Sequence, residues 1–270
     1  MTSLVEATIE ETDSLDVLES FRALAVHPKF TDELAAAIRE EGGADRAVGA
    51  LLSAFGLADR NPFEISVEET LDRLRKANGE QGWGIAEDAI AALAASAPEW
   101  PEGRLAFRSL RIRWGEGDEG VALTFERHAV RIRSTFEPKF WRWERLYSDK
   151  EHLRLLASNA SHRPVVEWVA FDLGENRRCV RVAAVRGPKS LADEGLTFCW
   201  LFPEYVRTID YRENPAFYLG GYELNVPGHD GGRWQDVVIV GRDLDDGTTN
   251  LDANWHGYAN SGYSVPPARE

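Results

Sequence analysis

Hydrophobic residues recur every three or four positions over Ser14–Ser96, which is the spacing of one face of an α-helix. Ser66 followed by Glu69 forms a capping box, which predicts the start of a helix that ends near Asn78-Gly79. Other turn signals divide the stretch into four or five helices. The pattern therefore predicts a helical bundle in the first part of the chain.

After Gly103 the pattern changes to alternation with a period of two, which is typical of half-buried β-strands. It is clearest in Leu110–Trp114 and Val130–Arg133, where apolar residues alternate with arginine. A capping box predicts one helix within this part, Asp149–Ser158. The other predicted strands are Val121–Phe125, Val165–Asp172, Arg178–Val185, Leu196–Phe202, Phe217–Asn225 and Trp234–Val240.

The composition changes at the same point as the pattern. All seven tyrosines and seven of the nine tryptophans follow Trp100, whereas residues 1–100 carry 8 Lys+Arg against 20 Asp+Glu, a net charge of −12. Pro98 and Pro101 interrupt the chain between the two parts. We therefore predict an α+β protein: an acidic α-helical domain, 1–98, and a larger, aromatic-rich, mainly antiparallel β domain with one or two helices, 103–270.

The charge of the whole chain limits its partners. A net charge of −14 and a pI near 5.0 disfavour nonspecific binding to nucleic acid or to anionic membranes, because both need positive charge. No apolar run approaches the roughly 18 residues of a membrane-spanning helix. The basic residues are mostly arginine, and alanine, glycine and glutamate are abundant, a usage typical of GC-rich bacterial genomes. We expect a bacterial cytoplasmic protein.

Four arginines are the first candidate binding group. If the predicted strands are neighbours, Arg111, Arg113, Arg131 and Arg133 share one sheet face that aromatic residues flank. Such a face can bind phosphate and stack on bases, so nucleic acid is a candidate partner of this local surface alone. The alternative is that the arginines cover an outward face or meet the acidic helices.

Two further surfaces are candidates for binding a protein. Trp255, Tyr258 and Tyr263 form an aromatic group near the end of the sequence, and Trp and Tyr are common anchors of interfaces. The acidic helical faces, which include Glu68 and Glu69, could dock the basic surface of a partner. Solvation alone also explains such acidic faces.

Two short stretches carry a chemical signal. Asp172 ends an apolar predicted strand and precedes Leu-Gly, and Asp252-Ala253-Asn254 follows late in the sequence. They resemble the first and last acidic motifs of RNase H-like nucleases. The resemblance implies that Asp172, Asp252 and a third carboxylate hold Mg²⁺ or Mn²⁺ and activate water for phosphodiester cleavage. The family's helix-borne glutamate has no identifiable counterpart in this sequence.

The remaining polar signals are weaker. Cys179 and Cys199 are predicted to be reduced core residues. His229-Asp230 lies in a glycine-containing loop, where the histidine could act as a general base, and His256 follows later. The acidic stretch 243–252 has oxygen ligands for calcium but not the EF-hand register, and its Asp-Gly pair predicts a hairpin turn instead.

No catalytic constellation stands out among these candidates. We therefore predict a non-catalytic accessory or regulatory subunit that acts by protein–protein interaction and needs no cofactor. The first alternative is the metal-dependent nuclease or phosphodiesterase, and the second is a small-ligand sensor in the aromatic sheet.

Overall fold

The computed structural model of the protein describes residues 61–156, 162–174, 177–185, 191–228 and 233–269, which contain six helices and nine strands. No helix among these residues has both the length and the apolar character needed to cross a membrane. The helices are α1 (Val67–Gln81), α2 (Glu87–Ala95), α3 (Gly117–Phe136), α4 (Val182–Val185), α5 (Asp193–Leu201) and α6 (Pro203–Arg207). The strands are β1 (Ala106–Arg113), β2 (Phe140–Arg142), β3 (Leu153–Leu155), β4 (Val165–Asp172), β5 (Ala216–Leu224), β6 (Asp236–Arg242), β7 (Thr249–Trp255), β8 (Tyr263–Ser264) and β9 (Ala268–Arg269).

The strands form two sheets, which confirms the α+β class. β4 lies between β1 and β9 in an antiparallel three-stranded sheet. The second sheet has the order β2-β7-β6-β5-β3, with β8 beside β5, and its β2–β7 and β5–β8 pairs are parallel. The predicted hairpin joins β6 to β7: Gly247 has φ of +78°, and its N–H donates to the carbonyl of Asp243. Glycine adopts this conformation at little cost.

Helix α5 lies between the two sheets, and all nine of its residues are buried. Phe198 packs against Phe107 of β1, with ring centroids 4.8 Å apart, and against Phe217 of β5, at 5.6 Å. Gly195 approaches β5 so closely that a β-carbon built on it would stand 2.2 Å from Leu219. A larger residue there would displace the Leu219 side chain from its present position. The two sheets therefore share α5 as their common core.

Helix α1 begins at the predicted capping box. The Ser66 hydroxyl accepts a hydrogen bond from the N–H of Glu69 at 3.0 Å. The helix continues past the predicted end, because Gly82 rather than Gly79 adopts the left-handed conformation, with φ of +60°, that terminates it. The start of α1 was therefore readable from the sequence, whereas its end was placed too early.

The residues before and after Pro98 pack into one core. The indole of Trp168 on β4 donates to the carbonyl of Leu93 on α2 at 2.9 Å. Arg108 of β1 lies 5.3 Å from the ring centroids of both Trp100 and Trp168, and it donates to the carbonyl of Pro98 at 2.7 Å. Asn61–Glu270 accordingly forms one compact unit. The predicted domain 1–98 lies mostly outside the described residues and stays a prediction.

The prediction of strands at Val121–Phe125 and Val130–Arg133 is wrong, because both stretches belong to the long helix α3. Buried residues recur through α3 at helical spacing, for instance Val121, Phe125 and Ile132. In a helix whose apolar residues lie three and four positions apart, apolar and polar residues can still alternate over a short stretch, as in a strand. The four residues 130–133 were too short a window to separate the two periods.

Three further element predictions are wrong. Leu196–Phe202 lies mainly in α5, and a helix that is buried on every side has no polar face to reveal its period. Arg178–Val185 contains an isolated β-bridge and α4 instead of a strand. The described part of Asp149–Ser158 is a turn followed by β3. There the Ser148 hydroxyl bonds to Glu126 at 2.6 Å and does not cap a helix.

His128 joins α3 to β1 and α5 and is completely buried. Its Nε2–H donates to the carbonyl of Ile112 at 3.0 Å, and its Nδ1 accepts from the indole of Trp200 at 3.1 Å. Because an indole N–H can only donate, Nδ1 carries no proton and the ring is neutral. Burial lowers the pKa of His128 to about 4.

We expect the free energy of unfolding to fall as the pH falls from about 6.5 to about 4, since the unfolded chain takes up a proton at this histidine that the folded protein excludes. The contribution is on the order of 3 kcal/mol. Urea denaturation over this pH range measures it in the wild type and in His128→Gln, which keeps a donor and an acceptor but cannot titrate. The variant should lose less stability on acidification, and equal losses would contradict this role of His128.

Candidate functional site

Arg111 and Arg113 are part of an ion cluster and not of a solvent-exposed face. Its members are largely buried except Glu167, whose side chain is 44% exposed. The cluster, called here the Arg–acid cluster, consists of Arg111, Arg113, Glu167, Asp193 and Glu194. Arg111 donates to Glu194 at 2.6 Å and to Glu167 at 2.5 Å, and Arg113 donates to Asp193. The Arg111 and Arg113 side chains are only 17% and 11% exposed. Their positive charges are therefore paired with carboxylates of the same chain.

The two acids at the centre of this cluster form the first turn of α5. Glu194 accepts from the N–H of Ala192 at 2.8 Å, and Asp193 accepts from the hydroxyl of Tyr222 at 2.9 Å. Burial by itself would raise the pKa of Asp193, but the guanidinium of Arg113 holds it below its usual value. Neither acid is among the residues predicted from the sequence. The signal in the sequence that could have indicated them is an acid pair, Asp193-Glu194, directly before an uncharged, mainly apolar run.

The other two arginines lie on α3, so the predicted four-arginine sheet face does not form. Arg131 pairs with Glu80 of α1 at 2.5 Å, and its side chain is 12% exposed. Arg133 pairs with Glu137 at 2.7 Å and is the most exposed of the four. The error follows from the wrong strand at 130–133, because only two of the four arginines, Arg111 and Arg113, lie on a strand. Nucleic-acid binding through this group has no common surface to support it.

Asp172 and Asp252 lie in different sheets. Asp172 ends β4 in the three-stranded sheet and accepts from the N–H of Gly174 at 2.6 Å. Asp252 lies in β7 of the six-stranded sheet, opposite Ile239. In the part of the chain that the structure describes, no group of three or more His, Cys, Asp or Glu side chains could hold a metal ion. The nuclease site implied by the resemblance gains no support from this geometry.

The remaining predicted residues are dispersed. Cys199 is buried on α5, where burial raises the pKa of its thiol, whereas the prediction that Cys179 is buried is wrong, because it is exposed. The side chains of Asp243 and Asp246 accept N–H groups of their own hairpin at 2.8 Å. His229-Asp230 lies outside the described residues.

Trp255 and Tyr258 form an exposed aromatic pair at the end of β7. Their ring centroids are 5.6 Å apart, with the planes at 80°. Trp255 is 39% exposed and Tyr258 55%. Edge-to-face contact is a favourable geometry for aromatic rings, so each ring restricts the other. We call these two residues the aromatic knob.

The backbone around the knob is fixed on both sides. His256 donates its N–H to Gln235 at 2.9 Å, and its carbonyl accepts from Ala183 at 3.0 Å. The N–H of Tyr258 closes the turn by donating to Trp255 at 3.1 Å. Gly257 lies beneath the indole: a β-carbon built on it would stand 2.5 Å from the ring. The knob therefore projects from a turn of defined conformation.

Tyr263 is partly buried and packs against two other tyrosines instead of joining the knob. Its ring lies 5.5 Å from that of Tyr211 and 5.2 Å from that of Tyr218. Burial raises the pKa of Tyr263. Of the three aromatic residues predicted to form one anchor, the fold thus brings two together at the surface and packs the third, partly buried, against Tyr211 and Tyr218.

Comparison with known proteins identifies no relative of this chain. No family model matches the chain, no curated protein matches it significantly, and no solved structure does.

The Arg–acid cluster predicts unequal effects of two arginine substitutions. Arg113→Leu leaves a buried carboxylate without its guanidinium partner and should lower the free energy of unfolding by about 3–5 kcal/mol. Arg133→Leu removes an exposed pair and should cost about 0–1 kcal/mol. Urea denaturation of both variants at neutral pH measures the difference.

The double variant Arg113→Leu/Asp193→Asn is the control, because it removes the buried negative charge and keeps an acceptor for Tyr222. It should be more stable than Arg113→Leu alone. The Arg–acid cluster would not stabilise the fold by pairing a buried carboxylate if Arg113→Leu lowered the free energy of unfolding no more than Arg133→Leu. The same would follow if the double variant were no more stable than Arg113→Leu.

Proposed function

We propose that this protein acts by binding another protein, as a non-catalytic accessory or regulatory subunit, and that the aromatic knob is its anchor. The observation that carries this proposal is the exposure of Trp255 and Tyr258 in mutual contact on a fixed turn. Tryptophan and tyrosine dominate the binding energy of many interfaces. The proposal rests on this pair and not on the arginines, which are occupied in ion pairs.

The fixed turn matters for affinity. Ordering a flexible side chain on binding costs about 0.5–1.5 kcal/mol, which subtracts from the gain of burying it. The hydrogen bonds of His256 and the contact of Trp255 with Gly257 already order the turn and the indole in the free protein, so less order has to be imposed on binding. Helix α4, whose Ala183 donates to the carbonyl of His256, also carries an exposed apolar residue, Val185, which is 47% exposed.

The chemistry of the knob indicates the kind of partner. Both rings have an apolar body and a polar tip, the indole N–H of Trp255 and the hydroxyl of Tyr258. We propose a partner with an apolar pocket whose rim offers hydrogen-bond acceptors. Such an interface depends mainly on apolar burial and is less sensitive to salt than the charge-driven docking predicted for the acidic helices.

Affinity capture from a lysate of the source organism tests the proposal with the tagged full chain, washed at low and at high salt. The wild type should retain a stoichiometric protein at both, and Trp255→Ser/Tyr258→Ser should lose it. Tyr147→Ser is the matched control, because Tyr147 is 43% exposed elsewhere. With the purified partner, the double variant should bind at least tenfold more weakly, which corresponds to about 1.4 kcal/mol.

Gly257→Ala provides a second variant that displaces the indole without removing it, and it should also weaken binding. Circular dichroism and the unfolding midpoint of each variant show whether the fold is intact. Retention of the partner by folded Trp255→Ser/Tyr258→Ser, or its loss in Tyr147→Ser alone, would contradict the role of the knob.

A further inference from the structure

Helix α3 has apolar residues on its solvent-exposed face. Glu119, Leu123, Glu126, Val130 and Arg133 are exposed and follow one another at intervals of four and three, so they form one stripe along the helix. Leu123 is 42% exposed and Val130 45%. We call these five residues the α3 stripe. Two large apolar side chains two turns apart on a charged face are typical of a helix that packs against another helix.

A groove of about 770 Å³ runs beside the stripe, between α3 and β2. Its apolar surface includes Val130 and Trp141, which is 44% exposed. Its charged lining is balanced, with two acids and two arginines: Glu126, Glu137, Arg133 and Arg142. A surface with equal numbers of both charges is not selective for a strongly acidic or basic partner, but it can be complementary to itself.

The order of charges along α3 supports self-complementarity. The first turn contains Asp118 and Glu119, and the last turn contains Arg133. Two such helices in antiparallel orientation place the acidic end of each against the basic end of the other. Their helix dipoles also oppose, which is the favourable arrangement.

We propose that the α3 stripe binds the α3 stripe of a second copy of this chain, antiparallel and about a twofold axis near Glu126. Position 126 is midway between Glu119 and Arg133, and the midpoint between Leu123 and Val130 lies between 126 and 127. A single axis therefore brings Leu123 against Val130 and Glu119 against Arg133. A twofold interface requires this reciprocity, since each residue meets its counterpart twice.

Two features of the axis region permit the approach. Glu126 would face its own copy, but it pairs with Arg142 at 2.9 Å and accepts from Ser148 at 2.6 Å within each chain, which offsets its charge. Arg133 and Glu137 form a pair whose side chains are 68% and 55% exposed. Such an exposed pair contributes little, so Arg133 can turn toward Glu119 of the second copy.

Sedimentation velocity of the full chain tests the proposal. We expect a species of twice the 30.2 kDa chain mass at concentrations up to about 100 µM, a range that detects weak association. Leu123→Asp and Val130→Asp should each raise the dimer dissociation constant at least tenfold. Leu244→Asp, at an apolar residue 55% exposed in the β6–β7 hairpin, should leave it unchanged. A monomeric wild type over this range, or a dimer unaffected by both stripe variants, would overturn the proposal.

A charge exchange tests the antiparallel orientation. Glu119→Arg alone places two arginines opposite each other at both ends and should weaken the dimer. Glu119→Arg/Arg133→Glu reverses both charges and should recover most of the loss. If the double variant dimerised no more tightly than Glu119→Arg, the antiparallel arrangement would be wrong. The inference does not depend on the aromatic knob, so Trp255→Ser/Tyr258→Ser should dimerise like the wild type.

Discussion

The fold depends on neutralising the acidic first turn of α5. Asp193 and Glu194 are almost fully removed from solvent, and burying unpaired carboxylates costs several kcal/mol each. Arg111 and Arg113, two residues apart on β1 and so on the same face, supply the opposite charges. Because the ion pairs form in one alignment only, they also set the register of α5 against β1. The apolar packing of Phe198 between the sheets then has a defined position.

This use of arginine inside the protein determines what remains outside. The described surface presents mixed charges in short-range pairs, such as Arg133 with Glu137, and has no single-sign patch built from the four predicted arginines. The two surfaces that we propose for recognition are accordingly rich in apolar side chains. The aromatic knob and the α3 stripe belong to different elements and have different characters: one is a compact projection, and the other is an elongated helical surface. A protein with both is suited to binding a partner while paired with its own copy.

The sequence predicted those elements whose local pattern matched their environment. β4, β5 and β6 were located by apolar runs between turn residues, and α1 was located by its Ser66 cap. Prediction failed for α5, where complete burial removes the polar face, and for α3, where a four-residue window mimicked a strand. The Arg–acid cluster joins residues about 80 positions apart in the sequence, so a local pattern can at most indicate the acid pair and cannot identify its arginine partners. The knob was named from composition, but its separation from Tyr263 is a result of tertiary packing.

The long sequence separation within the Arg–acid cluster has a consequence for how the chain folds. Arg113 and Asp193 meet only after a loop of 80 residues has closed, and contacts of this kind slow folding. Until then the acidic first turn of α5 lacks its arginine partners, and the apolar residues of α5 are not yet packed between the two sheets. A partly folded state that contains α5 but not β1 is therefore high in free energy. The unit 61–270 should accordingly fold cooperatively, and its central helix, α5, should be among the last elements to become stable.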